Sequence, residues 1–115
     1  MSYAQLVALH RKRWALDQDE LAFLLGISQA NVSRLEGGEL AKAAKLETVL
    51  ALQVVFGHAP RTLFAPLYEA VEYAVMTRAA ELDLALRDKH DPHSIKQKQL
   101  LATMLKRVTS STRTL

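Results

Sequence analysis

The chain contains 115 residues, of which 50% are hydrophobic, and has a net charge of +3 and no cysteine. This length fits a domain that buries a hydrophobic core, and the lack of cysteine excludes disulfide scaffolds, zinc ribbons, iron–sulfur sites and thiol nucleophiles. The uncharged stretch at residues 48–60, which no other uncharged stretch exceeds in length, is too short for a membrane span, and the first residues lack a signal-peptide pattern. We therefore expect a cytoplasmic protein with no membrane partner.

The N-terminal third of the chain predicts three helices. The first covers residues 3–14. The second follows an N-cap at Asp17, has an acidic first turn and ends at Gly26. The third follows an N-cap at Ser28 and ends at the glycine pair that begins with Gly37. Two short helices joined by a three-residue turn that contains glycine are typical of a helix-turn-helix motif.

The rest of the chain predicts four more helices. One runs from residue 46 to 57, and a short one ends at Phe64 or merges with the next. A long helix covers residues 66–87. It can begin at the proline at residue 66, because proline is tolerated in the first turn of a helix. The last begins with a capping box at Ser94 and ends near Val108. Glycine and proline are otherwise rare, so we predict an all-α fold: a compact helix-turn-helix bundle of about five helices, followed by a two-helix C-terminal extension.

These elements predict a domain boundary between residues 64 and 65. Residues 1–64 form the helix-turn-helix domain, and residues 65–115 form a helical hairpin with a frayed tail. The long helix is apolar on more than one stripe, whereas the last helix offers one stripe to cover it. We therefore expect a homodimer through residues 66–108, with the N-terminal bundle as the alternative cover.

The segment at residues 18–38, with the sequence QDELAFLLGISQANVSRLEGG, carries the most specific pattern in the chain. Its Gln-x-x-Leu-Ala, Gly-Ile-Ser and Leu-Glu-Gly elements occur in the order and spacing of a known family. Over residues 5–64 the chain resembles the lambda-repressor-like (xenobiotic-response-element-type) helix-turn-helix DNA-binding family.

The resemblance implies that the helix at residues 29–36 lies in the major groove of double-stranded DNA. The residues expected to contact bases are Gln29, Ala30, Ser33 and Arg34. Their chemistry fits that role, since Gln pairs with adenine, Arg with guanine, and Ala touches the thymine methyl group. The alternative is a solvated helix face.

Phosphate contacts and one structural pair follow from the same resemblance. Gln18 and Asn31 are the implied phosphate contacts, and Lys12, Lys42 and Lys45 are the nearest cations. Arg11 and Glu36 occupy the positions of an ion pair that sets the angle of the recognition helix. We therefore expect this pair to have a structural role and not to contact DNA bases.

Two departures from the family pattern weaken the expected DNA affinity. Glu39 follows the glycine pair where the family commonly has a basic residue, and Asp17 replaces a Ser or Thr. Residues 1–60 also have no net charge, because their basic and acidic residues are equal in number. Residues 87–115, by contrast, carry seven basic and two acidic residues, a net charge of +5. Either dimerisation or the basic C-terminal helix is therefore expected to compensate, or the binding is weak.

The sequence thus predicts a sequence-specific DNA-binding transcriptional regulator of the repressor type. The alternative is an antitoxin or adaptor whose C-terminal helices bind another protein. We expect no enzyme activity and no cofactor, since no catalytic triad order or phosphate-binding glycine loop occurs. We also expect no metal site, because His90 and His93 flank a proline and have no third histidine nearby.

Overall fold

The computed structural model describes residues 3–39 and 44–113, with side chains for residues 5–39 and 44–110. Every regular element in these ranges is an α-helix, and no strand occurs among them. The predicted all-α fold class is therefore confirmed. The described helices are α1 (Tyr3–Arg13), α2 (Gln18–Leu25), α3 (Gln29–Glu36), α4 (Leu46–Phe56), α5 (Pro60–Leu63), α6 (Ala65–Ala85) and α7 (Pro92–Arg113).

The ends of α2 are fixed by local hydrogen bonds. The Asp17 carboxylate accepts from the backbone N–H of Glu20 at 2.7 Å, and the Glu20 carboxylate accepts from the backbone N–H of Asp17 at 3.0 Å. This reciprocal capping box satisfies donors that the first helical turn leaves open. Gly26 ends the helix with φ 70° and ψ 32°, a left-handed conformation that glycine adopts without a Cβ penalty.

The next helix begins after a turn of three residues. The hydroxyl of Ser28 accepts from the backbone N–H of Asn31 at 3.1 Å and so caps α3 at its N-terminus. Gly37 follows the last helical residue, and Gly38 has φ 92°. The two predicted short helices and the three-residue turn between them are present, and all four predicted end signals lie at helix ends.

The first half of the chain packs around one hydrophobic core. Val7 of α1, Leu21 of α2 and Leu35 of α3 are fully buried in it. The other buried members of the cluster are Ala22, Leu25, Val32, Leu52, Phe56, Leu63 and Phe64. Residues from α1 to α5 contribute, so the short helices are held by tertiary burial rather than by helix propensity.

The connection from α4 to α6 matches the predicted short fifth helix. Gly57 ends α4 in a left-handed conformation with φ 77°, and Pro60 begins α5 at a position where its missing N–H costs no hydrogen bond. Helix α5 ends before Phe64, and α6 begins at Ala65 with Pro66 in its first turn.

The chain divides into two compact units, Met1–Glu69 and Ala70–Leu115. The division falls inside α6, a few residues after the boundary drawn from sequence at 64/65. In the second unit, a small cluster of Ala79, Leu86 and Leu101 is buried between α6 and α7, with Met104 packed against it.

Two predictions about the last helix are wrong. The helix begins at Pro92, and its N-cap is Asp91, whose carboxylate accepts from the Ser94 backbone N–H at 3.1 Å and from the Ser94 hydroxyl at 2.7 Å. These bonds also lower the pKa of Asp91. Proline at the first helical position makes this start more favourable than one at Ser94. The helix also continues past Val108 to Arg113, where a frayed tail was expected.

Candidate nucleic-acid interface

The exposed face of α3 carries the four residues expected to contact bases. Gln29, Ala30, Ser33 and Arg34 are all exposed. The opposite face of the same helix is anchored in the core, where Val32 and Leu35 are fully buried. The structure thus brings the four polar or small side chains together on one accessible surface of a helix whose other face is buried.

The C-terminal end of α3 is tied to α1 by a two-point ion pair. The Arg11 guanidinium donates from Nε to Glu36 Oε2 at 2.7 Å and from Nη2 to Glu36 Oε1 at 3.0 Å. A third donor, Nη1, bonds the backbone carbonyl of Leu16 at 2.9 Å. The two side chains are only 11% and 8% exposed. The structure contains the pair expected from sequence, and its fork geometry restrains the angle between the two helices.

The charges of this pair are stabilised in the folded protein. Burial alone would raise the pKa of Glu36, but hydrogen bonds from Arg11 and Gln18 and the charges of Arg11 and Lys12 hold that pKa below its usual range. The hydrogen bond to Glu36 raises the pKa of Arg11 against the opposing effect of burial. Both groups are therefore ionised near neutral pH.

A chain of hydrogen bonds runs from this ion pair to the exposed face of α3. Gln18 donates from Nε2 to Glu36 Oε1 at 3.1 Å, and its Oε1 accepts from Gln29 Nε2 at 2.6 Å. Gln18 therefore uses both ends of its side-chain amide inside the protein. Its position as the first residue of α2 leaves the backbone N–H outside the intrahelical ladder, which is the group best placed for a phosphate.

Arg34 is held by a neighbour on its own helix. Its Nη1 donates to Asn31 Oδ1 at 3.0 Å, across the three-residue spacing that places side chains on one helical face. Asn31, which the sequence placed among the phosphate contacts, is half-buried and orients Arg34 in this structure. The arginine thus has one donor fixed within the protein and others directed to the exposed side.

The lysines expected near phosphates are distributed unevenly. Lys12 is exposed at the end of α1, and its charge reaches Glu36 strongly enough to affect that pKa. Lys45 is exposed at the N-cap position of α4. Lys42 lies outside the described residues. Glu39, the residue after the glycine pair that follows α3, is exposed, and its negative charge would repel a phosphate.

Sequence reasoning missed the contacts that link these residues. The Gln18 to Gln29 bond joins positions 11 apart, so no local signal identifies it. The Arg34 to Asn31 bond does have a signal, the i,i+3 spacing of an amide and a guanidinium on a helix.

Two kinds of site have no candidate in the described part of the chain. No group of three or more His, Cys, Asp or Glu side chains there could hold a metal ion, and His90 and His93 are exposed. No helix there is long and apolar enough to cross a membrane. Comparison of the chain with family models, with curated proteins and with solved structures gives no match.

Proposed function

We propose that this protein is a sequence-specific, double-stranded DNA-binding regulator of transcription that acts as a repressor in the cytoplasm. The observation that carries the proposal is the α3 surface, on which Gln29, Ala30, Ser33 and Arg34 are exposed while the opposite face is locked in the core. A short helix presented in this way has the width and side-chain chemistry to enter a major groove. The resemblance to the lambda-repressor-like family supports the same orientation.

The hydrogen bonds around α3 favour recognition by pre-organised side chains. Gln29 is restrained by Gln18, and Arg34 is restrained by Asn31, before any ligand is present. A restrained side chain loses less conformational entropy on binding than a free one. Gln29 donates one Nε2 hydrogen to Gln18 and retains its Oε1 and its second Nε2 hydrogen for an adenine, and Arg34 retains donors for the O6 and N7 acceptors of a guanine.

Charge predicts that one DNA-binding unit alone has modest affinity. Residues 1–60 contain six basic and six acidic residues, and affinity for the phosphate backbone depends on the number of cations that contact it. The specific contacts of α3 therefore need reinforcement, either from a second DNA-binding unit in the same particle or from the basic C-terminal region.

Selection of DNA fragments from a random pool by the full chain, followed by affinity measurements on selected and random duplexes, tests this function. The Arg34→Ala substitution is expected to cost roughly 1–3 kcal/mol on the selected site and to relax preference at one base pair. Lys45→Ala is the matched control. It is expected to weaken binding to both duplexes alike and to reduce the slope of the logarithm of the binding constant against the logarithm of salt concentration by about 1.

The affinity ratio between selected and random DNA decides the outcome. A ratio that Arg34→Ala leaves unchanged would show that Arg34 makes no base contact. A protein that enriches no sequence from the pool would contradict the proposed function as a whole.

A second candidate function rests on the C-terminal unit. Its helices expose large apolar side chains, of which Tyr73 is 77% accessible. Such a surface also fits an antitoxin or adaptor that binds a foreign protein. This function requires the pure chain to be monomeric, with the apolar surface open to a partner.

A further inference from the structure

The second unit exposes more apolar surface than its own core covers. Its hydrophobic cluster has three buried members among the described residues, whereas side chains such as Tyr73, Leu84 and Leu105 remain more than half exposed. A pair of helices with so small a core does not bury enough surface to offset its conformational entropy. At this size, oligomerisation is a common source of the missing contacts.

A groove of about 460 Å³ runs between the two helices of this hairpin. The apolar residues that line it are Met76, Ala79, Ala80, Leu101, Ala102 and Leu105. Three of the six are alanines, whose small side chains let another helix approach closely. The groove therefore has the shape and lining of a helix-packing surface.

The two helices of the hairpin carry opposite charge. Helix α6 contains Glu69, Glu72, Glu81 and Asp83 against the single basic residue Arg78. Helix α7 contains five Lys and Arg residues and no acidic residue. The groove is thus bordered by an acidic helix on one side and a basic helix on the other, as Asp83 and Lys98 in its lining illustrate.

We propose that a second copy of this chain occupies the groove, so that two hairpins form a four-helix bundle. In this bundle the acidic α6 of each copy lies beside the basic α7 of its own chain and beside the basic α7 of the other copy. The two α6 helices then stand on opposite corners, which keeps like charges apart. The apolar groove residues of both copies form the bundle core.

A second copy fits this groove because it supplies both features that the groove lacks. It brings an apolar strip that is complementary by symmetry, since an isologous interface pairs a surface with itself. It also brings one acidic and one basic helix, so acidic and basic helices alternate around the four-helix bundle. A single acidic or basic helix from a foreign protein would leave one side of the groove facing its own sign.

The dimer is independent of DNA binding and extends the proposed function by joining two DNA-binding units in one particle. Each unit contributes one α3, so two half-sites can be bound together. Because the two DNA-binding units of the dimer are linked, binding of one to its half-site raises the effective concentration of the other at the second half-site. Affinity for the whole site increases without any additional type of contact to DNA.

Sedimentation equilibrium of the full chain at tens of micromolar tests the proposal without DNA. The expected mass is twice the chain mass of 12.8 kDa. Ala80→Arg places a charge in the groove and is expected to raise the dissociation constant by about 100-fold or more. Ala85→Arg is the matched control, because Ala85 is exposed on the same helix and lies outside the groove lining.

A monomeric parent chain overturns the proposal and favours binding of a foreign protein. Equal dissociation constants for Ala80→Arg and Ala85→Arg overturn the groove as the interface. If Ala80→Arg loses helical signal, a spin label on Gln99→Cys gives an independent measurement, since the chain has no other cysteine. The dimer predicts a magnetic dipolar coupling between the labels on the two chains, and the absence of that coupling refutes it.

Discussion

The two units of this protein are both helical but differ in how much of their apolar surface they bury. Among the described residues, the first contains a cluster of ten buried residues, nine of which lie on five short helices. The second contains most of α6, the whole of α7 and, among the described residues, a buried cluster of three. Helix length is therefore a poor guide to whether a unit is stable on its own, because burial of apolar surface, and not hydrogen bonding within the helix, supplies most of the stability.

This difference matches the two tasks that we propose. The first unit must hold α3 in a fixed orientation, which requires a closed core and the hydrogen-bonded ties at Arg11, Glu36 and Gln18. The second unit must associate, which requires apolar surface that stays accessible until a second copy arrives. A core completed within one chain would remove the groove between α6 and α7.

The largest effect is expected from a core leucine of the first unit. Leu52→Ala removes a fully buried side chain from α4 and is expected to cost about 2–5 kcal/mol of unfolding free energy. Leu82→Ala on α6 is the matched control. Its side chain is partly exposed, so less than about 1 kcal/mol is expected. Urea unfolding checks both, and equal losses would break the contrast between the units.

The next effect concerns the ion pair that orients α3. Arg11→Ala leaves the Glu36 carboxylate nearly buried without its two-point partner, which is expected to cost about 3 kcal/mol. Arg13→Ala on the same helix is the control, since Arg13 is exposed and a surface substitution costs little. Thermal unfolding measures the difference. Coincident melting temperatures for the two variants would show that the pair has no structural role.

A smaller effect is expected at the start of α7. Ser94→Ala removes the buried hydroxyl that donates to Asp91 and is expected to cost about 1 kcal/mol, confined to the second unit. Ser110→Ala, at an exposed position of the same helix, is expected to cause no loss. Native-state hydrogen exchange separates the units. Loss of protection in α2 and α3 upon Ser94→Ala would contradict independent stabilities.

Sequence predicted those features of the fold that depend on neighbouring residues. The caps at Asp17 and Ser28 and the left-handed turn at Gly26 each act over a few positions, so their residue types identify them. Local signals also misled at Ser94, where the pattern fits a capping box, but the preceding Asp91 and Pro92 make a better start.

Features that depend on how helices meet could not be obtained from sequence. The bond from Gln29 to Gln18 exists only because α2 and α3 cross at a particular angle. The turn after α1 places Ala15 at φ 58°, a left-handed conformation that its residue type does not favour. The candidate base contacts could be named from sequence because they are the exposed positions of a recognisable helix, whereas the bond from Gln29 to Gln18, which joins two helices, became apparent only in the structure.

The smallest effect is a pH dependence confined to the first unit. His10 of α1 packs against Phe56, with ring centroids 5.5 Å apart, and against His58, with ring centroids 4.8 Å apart. Burial first, and then the charges of His58 and Arg13, lower the pKa of His10 from its ordinary value of 6.5. The folded protein therefore favours neutral His10, while the unfolded chain takes up a proton at the ordinary pKa.

Unfolded chains then bind more protons than folded ones as the pH falls through 6.5, so the first unit loses stability on acidification and is most stable above that pH. Melting temperatures from pH 8 to pH 5.5 are expected to fall for the parent and to fall less for His10→Gln, which cannot titrate. His93→Gln makes the same substitution at an exposed position of the second unit and is the matched control. If the melting temperature of His10→Gln falls with pH as steeply as that of the parent, another group controls the pH dependence. The packing of His10 against α4 and His58 would then not disfavour its protonated form.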